Sequence, residues 1–229
     1  MAGNWNIDEV VHTIERALRP LADRKRAAGA KAYMKDVSDF LGVATPDRRA
    51  ALKPIFKSLP DPTSDDIGKV ALRLFALPER EFAYAGYDLI SYFWQFADKE
   101  FLEKYVEKLL VTNSWWDTVD GLGSAAVSPL TVKYPNKKLI EKWIRSDNRW
   151  LNRAAIQHQR GRRTNTDVMY VLELCSRFSN SREFFITKAV GWALRDIAAF
   201  DKPAVREYLR EHPELHSVSV REANRGLNR

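Results

Sequence analysis

The 229-residue sequence has one cysteine, Cys175, and four scattered histidines, His12, His158, His212 and His216. A lone thiol excludes an internal disulfide framework, and no His/Cys cluster has zinc spacing, so no metal or cofactor is expected. No run of eighteen apolar residues is present, which excludes a membrane-spanning helix. The opening stretch MAGNWNIDEVVHTIERAL carries Asp8, Glu9 and Glu15 where a secretory leader needs an unbroken apolar centre, and a cytoplasmic protein is expected. Sustained apolar–polar alternation is also missing, which argues against strands.

Hydrophobic residues make up 45% of the chain, ample for a core, and the length suits one domain spanning residues 1–229. Lys and Arg number 37 against 30 Asp and Glu, a formal charge of +7 that favours a polyanionic partner. The arginines cluster: RGRR at Arg160 to Arg163 follows Arg145, Arg149 and Arg153. A solvated charged face is the plainer explanation of such a run.

Helical periodicity runs from end to end. Ile7, Val10, Val11, Ile14 and Leu18 form one buried helix face, and Phe101, Leu102, Tyr105, Val106, Leu109 and Leu110 form another. Thr45 before Pro46 reads as an N-cap, with further caps at Ser64, Asn136 and Asp147, while SLPDPTSDD, KYPNKK and FDKPA separate helices. About a dozen helices are expected. Phe82, Trp115, Trp150 and Phe185 are spaced by 33, 35 and 35 residues, each followed four positions later by Gly86, Val119, Ala154 or Ala189. A period in the thirties with an aromatic and then a small or branched residue reads as an all-α solenoid of HEAT-like pairs, whose curvature would give a concave face for a long partner. An irregular bundle with coincidental spacing is the alternative.

The stretch SWWDTVDG places two tryptophans beside two aspartates. With Ser114 as N-cap, Trp115, Val119, Leu122 and Ala126 share a core stripe, and Trp116, Asp120 and Gly123 lie on the next face. Gly121 and Gly123 each cost about 1 kcal/mol in a helix relative to alanine, a cost that close approach of a bulky group would explain. Ordinary packing for Trp116 and a salt bridge for Asp120 stand beside that reading. FFITKAVGWALRD similarly sets Lys188, Trp192 and Arg195 on one face, cations above and below a ring, which suits a sugar-phosphate backbone. SDNRWLNRAAIQHQRGRR is read with Arg149, Arg153 and Arg160 along one side and Trp150 and Ala154 turned inward.

SWWDTVD (Ser114 to Asp120), SDNRWLNRAAI (Ser146 to Ile156) and REFFITKAVGWALRD (Arg182 to Asp196) together resemble the AlkD family of alkylpurine DNA glycosylases, and AYMKDVSDFLGVATPDRR (Ala32 to Arg49) and LPEREFAYAGYDL (Leu77 to Leu89) extend the likeness. The resemblance implies a single superhelix of HEAT-like repeats with a concave basic face. It also implies release of cationic N3- and N7-alkylated purines from double-stranded DNA without base flipping. The catalytic aspartate of the family falls on Asp120 rather than Asp117, and its sugar-contacting tryptophans fall on Trp116 and Trp192. Arg153 and Tyr33 match positions close to the lesion, and Thr45, Arg49 and Arg195 match positions on the DNA backbone.

Arg160, Arg163 and Lys188 complete the expected DNA-binding set, although RGRR cannot be assigned contact by contact. The tail ELHSVSVREANRGLNR lies outside the resemblance. A monomer without a protein partner, associated with the nucleoid, is the corresponding expectation. The rival readings are a non-catalytic helical-repeat module for distorted DNA or a protein, and an RNA-binding scaffold.

Overall fold

In the computed structural model, which describes residues 5–229, the chain is all-helical. Its one strand-like feature among these residues is an isolated bridge between Asp39 and Glu79. In chain order the helices are α1 (Ile7–Leu18), α2 (Arg24–Tyr33), α3 (Thr45–Ser58), α4 (Ser64–Phe75), α5 (Arg80–Phe93), α6 (Glu107–Val111), α7 (Trp116–Leu122), α8 (Ser128–Lys133), α9 (Lys137–Ile144), α10 (Arg149–Ile156), α11 (Val168–Ser176), α12 (Phe184–Ala198), α13 (Lys202–Glu211) and α14 (Ser217–Leu227). The chain forms two compact units, Met1–Leu130 and Thr131–Arg229. Consecutive helices pack in pairs within each unit, α4 on α5, α9 on α10, α11 on α12 and α13 on α14, as an α-solenoid of helical repeats requires. No helix of the described residues is long and apolar enough to cross a membrane.

The buried faces are those that periodicity predicts. Val10, Val11, Ile14 and Leu18 of α1 are buried, and so are Phe101, Leu102, Tyr105, Val106, Leu109 and Leu110, although Leu102–Val106 winds as a wider π turn ahead of α6. The repeat has a packing basis. Phe82 is fully buried, and a Cβ at Gly86 would stand 2.9 Å from the Phe75 ring, so the absence of a side chain lets α4 approach α5. In the second unit the Trp150 and Phe185 rings touch at 5.1 Å, over buried Ala154 and Ala189. Trp115 departs from the pattern, being only half-buried and lying just outside its helix.

Three of the expected caps shift by one residue. Thr45 is the first helical residue after Ala44, and Thr63 caps α4 in place of Ser64, in a reciprocal box with Asp66. Asn148 rather than Asp147 receives the N–H groups of Trp150 and Leu151, while Asn136 caps α9 as expected. At α4 and α10 both adjacent residues carry a capping side chain and the one in the extended conformation took the place, whereas Ala44 precedes α3 with no side-chain bond. Cys175 is fully buried, and burial pushes its thiol up to about 12, so it serves as core.

Candidate functional site

The segment Trp116–Lys133 runs as α7, a π turn at Gly123–Val127, and α8. Ser114 is not its cap: the Ser114 hydroxyl donates back to the Leu110 carbonyl at 2.6 Å, and Trp115 holds the extended cap position. The buried Thr118 hydroxyl receives the Trp115 N–H at 3.3 Å, which fixes the start of α7 so that Trp116 is its first residue.

The two aspartates of this helix have different surroundings. Asp117 accepts two hydrogen bonds from buried Arg80, Nε to Oδ2 at 2.9 Å and Nη2 to Oδ1 at 2.6 Å, and a third from the Tyr84 hydroxyl at 2.5 Å. Arg80 also donates to the Asn113 carbonyl at 2.5 Å and to Thr118 Oγ1 at 3.1 Å. Burial alone would lower the Arg80 pKa, but the Asp117 hydrogen bond and charge more than reverse it; burial and then the Asp117 charge push the Tyr84 hydroxyl up, so it remains a donor. None of the Arg80 and Tyr84 bonds reaches Asp120, which is half-buried one turn further along α7.

Trp116, also half-buried, meets the edge of Tyr33 at 6.3 Å between ring centroids. Tyr33 ends α2 with 72% of its surface exposed, and Lys35 and Asp36 just beyond it take left-handed φ of 61° and 57°, turning the chain sharply. The two rings line a cavity of about 290 Å³ together with Met34, Phe40 and Tyr84. The loop bordering it is held by buried Glu81, whose carboxylate receives the N–H groups of Leu41, Gly42 and Val43 at 2.9, 2.7 and 3.1 Å. Gly42 has φ 83°, and a Cβ there would stand 2.2 Å from the Asp23 carbonyl oxygen, so only glycine fits.

The glycines after Asp120 are not equivalent, contrary to the expectation that both leave room. A Cβ at Gly121 would fall 2.5 Å from the Tyr87 ring, so that space is filled by α5 of the chain itself. Gly123 has nothing within 4 Å of the corresponding position and faces open space. On α3, Thr45 and Arg49 are both exposed; Arg49 reaches Asp88 at 3.4 Å, while buried Arg48 holds the same carboxylate at 2.9 Å.

In the second unit Trp192 is ringed by cations. The guanidinium carbons of Arg160, Arg153 and Arg195 stand 4.8, 5.1 and 5.6 Å from its ring centroid. Arg149, Arg153 and Arg160 therefore do not form one exposed side. Arg149 stacks on Trp150 at 5.0 Å and pairs with Glu183, whereas Arg153 is 2% exposed, donates to the Phe185 carbonyl at 2.6 Å and lies against Trp192. α10 ends at Ile156, so Arg160 belongs to the following loop and helical spacing does not set its position.

Within RGRR, Arg162 turns inward to Thr131 at 2.5 Å, while Arg163, with φ 53°, is exposed. Arg160, Arg163, Trp192, Arg195, Asp196 and Arg229 line a cavity of about 240 Å³. Burial raises the Asp196 carboxyl pKa against the pull of the Arg160 and Arg195 charges. Among the described residues no group of three or more His, Cys, Asp or Glu could hold a metal ion.

Sequence reasoning missed Arg80, Tyr84, Glu81 and a further residue of α14, Glu222. Arg80 and Tyr84 lie one turn apart within LPEREFAYAGYDL, but their partner Asp117 is 37 and 33 residues away. Glu222, only 1% exposed, accepts from Lys188 Nζ at 2.8 Å, Arg195 Nη1 at 2.6 Å and Arg225 Nη1 at 2.8 Å. Its signal was the helical set Ser219, Glu222 and Gly226 in the tail.

The fold is shared with a solved structure titled a predicted DNA alkylation repair enzyme from Enterococcus faecalis. The two are 22% identical, with a TM-score of 0.75 over 89% of this chain and 95% of that one. No curated protein matches the sequence. The family model described as DNA alkylation repair enzyme matches residues 14–227, nearly the whole chain with both aromatic clusters inside it, and the chain belongs to that family of DNA repair enzymes.

Proposed function

We propose that this protein is a DNA glycosylase of base excision repair that hydrolyses the N-glycosidic bond of cationic N3- and N7-alkylated purines in duplex DNA. The observation that carries the reading is the division of labour on α7. Asp117 is bound by Arg80 and Tyr84 within the packing of α5 on α7, while Asp120 stands half-buried one turn from the half-buried Trp116 ring, and the chemistry is assigned to this carboxylate beside the aromatic face. Family membership and the ring of guanidiniums about Trp192 support it.

The chemistry follows from the substrate's charge. An alkylated purine is already cationic, so when its bond to C1′ breaks, the electron pair leaves with the base and neutralises it; no acid is needed. Positive charge then develops on the deoxyribose. The Asp120 carboxylate stabilises that charge and takes a proton from the water that adds to C1′. Trp116 and Trp192 are the rings assigned to deoxyribose contact, each electron-rich face worth about 0.5–2 kcal/mol to a cationic sugar. Tyr33 and Arg153 are each assigned a DNA contact. Thr45, Arg49, Arg160, Arg163, Lys188 and Arg195 hold phosphates, and the lesion is attacked without being flipped from the stack. The protein works as a monomer, in one domain, on DNA of the nucleoid.

The test is incubation with N7-methylguanine-containing duplex and chromatography for free base. Release of the methylated base by the parent protein is expected. Binding without release would point instead to a non-catalytic helical-repeat module, and no binding of duplex at all would refute both.

A further inference from the structure

Lys188 and Arg195 lie on α12 one turn before and one turn after Trp192, and both reach the same buried carboxylate on α14. The seat is tight. A Cβ at Gly191 would stand 2.8 Å from Glu222 Cβ, and one at Gly226 would stand 2.8 Å from Ala198 Cβ. The Ser219 hydroxyl adds a bond to the Thr187 carbonyl at 2.7 Å. Burial acts to raise the Glu222 carboxyl pKa, but the Lys188 hydrogen bond and the charges of Lys188, Arg195 and Arg225 outweigh it and keep the group ionised. The Lys188 and Arg195 side chains remain about one-quarter exposed, and each spends only one donor group on Glu222. Their remaining N–H groups are available to phosphate oxygens.

We infer that Glu222 is a positioning residue that holds Lys188 and Arg195 in place on either side of Trp192 for phosphate contacts, making the C-terminal helix α14 part of the DNA-binding apparatus. A lysine or arginine held in place loses less conformational freedom when it meets a phosphate than one that swings freely. The buried anion therefore aids binding of another anion through order rather than attraction. This inference rests on duplex DNA being the partner, but not on catalysis.

The experiment is the salt dependence of affinity for undamaged duplex, whose slope counts phosphate contacts. Glu222→Gln removes one negative charge from a chain of formal charge +7, so overall electrostatics alone would tighten binding. The expected result is the opposite, with a slope smaller by about one or two and weaker binding at every salt concentration. Glu222→Asp, which keeps the charge on a shorter stem, is expected between the two. Lys188→Gln/Arg195→Gln should lose the same slope, and adding Glu222→Gln to that pair should change it no further, whereas a merely structural role would add a second loss.

A parental slope in Glu222→Gln, or a further drop in the triple variant, would overturn the inference. If circular dichroism shows Glu222→Gln unfolded, Glu222→Asp decides, and an unchanged slope there counts against the idea. A parent that binds duplex but releases no base would remove the glycosylase reading and leave this one standing.

Discussion

Arg80 and Asp117 are joined by two parallel hydrogen bonds at 2.9 and 2.6 Å, with side chains 2% and 10% exposed, across the junction of α5 and α7. Breaking one side of such a pair strands the other charge, at a cost of about 3–5 kcal/mol. Asp117→Asn is therefore expected to lower the urea midpoint strongly. Asp120→Asn should leave the midpoint and duplex affinity near the parental values while abolishing release of N7-methylguanine. Wild-type excision by Asp120→Asn would refute the assignment of the catalytic carboxylate, and an unchanged midpoint in Asp117→Asn would refute the structural one.

The glycines beside Asp120 predict opposite signs. Gly121→Ala drives a methyl into the Tyr87 ring and should destabilise by about 1–3 kcal/mol. Gly123→Ala enters open space and should be neutral or stabilising by up to about 1 kcal/mol. Thermal melts of the two variants compare these directly, and loss of excision in a fully folded Gly123→Ala would indicate that substrate approaches at that point.

The rings should matter to rate more than to folding. Trp116→Ala and Trp192→Ala are each expected to slow single-turnover excision about two- to thirtyfold, the equivalent of about 0.5–2 kcal/mol. For Trp192 the loss should be partly restored by phenylalanine, which keeps a ring face toward Arg153 and Arg160. Unchanged rates in the alanine variants would mean that the rings only pack.

A pH effect arises from a buried histidine. His158 is 3% exposed; its Nδ1–H donates to the Ala155 carbonyl at 2.7 Å, and Nε2 accepts from Gln159 at 3.0 Å, a neutral imidazole that burial holds down to about 4. The unfolded chain takes up this proton below about 6.5, whereas the folded chain resists until about 4, so stability is full above pH 6.5 and declines as pH falls through that window. The total contribution is about 3 kcal/mol. Urea midpoints at pH 7.5 and 4.5 should differ for this reason, and His158→Asn should flatten the difference. An equal decline in that variant would assign the effect to other groups.

The sequence by itself determined that the chain is helical, most of the buried helix faces, and the grouping of Trp116 with Asp120 on α7 and of Lys188, Trp192 and Arg195 on α12. These are properties of neighbours within three or four positions, and a 3.6-residue period brings them to one face whatever the rest of the chain does. Tertiary structure decided which of those charges are already spent. Asp117 finds Arg80 at a separation of 37 residues, Lys188 and Arg195 find Glu222 at 34 and 27, and Tyr87 fills the space beside Gly121. Such partners meet only when separate helices pack, so the sequence could place two aspartates on α7, but only packing showed that Asp117 is held by Arg80 and Tyr84.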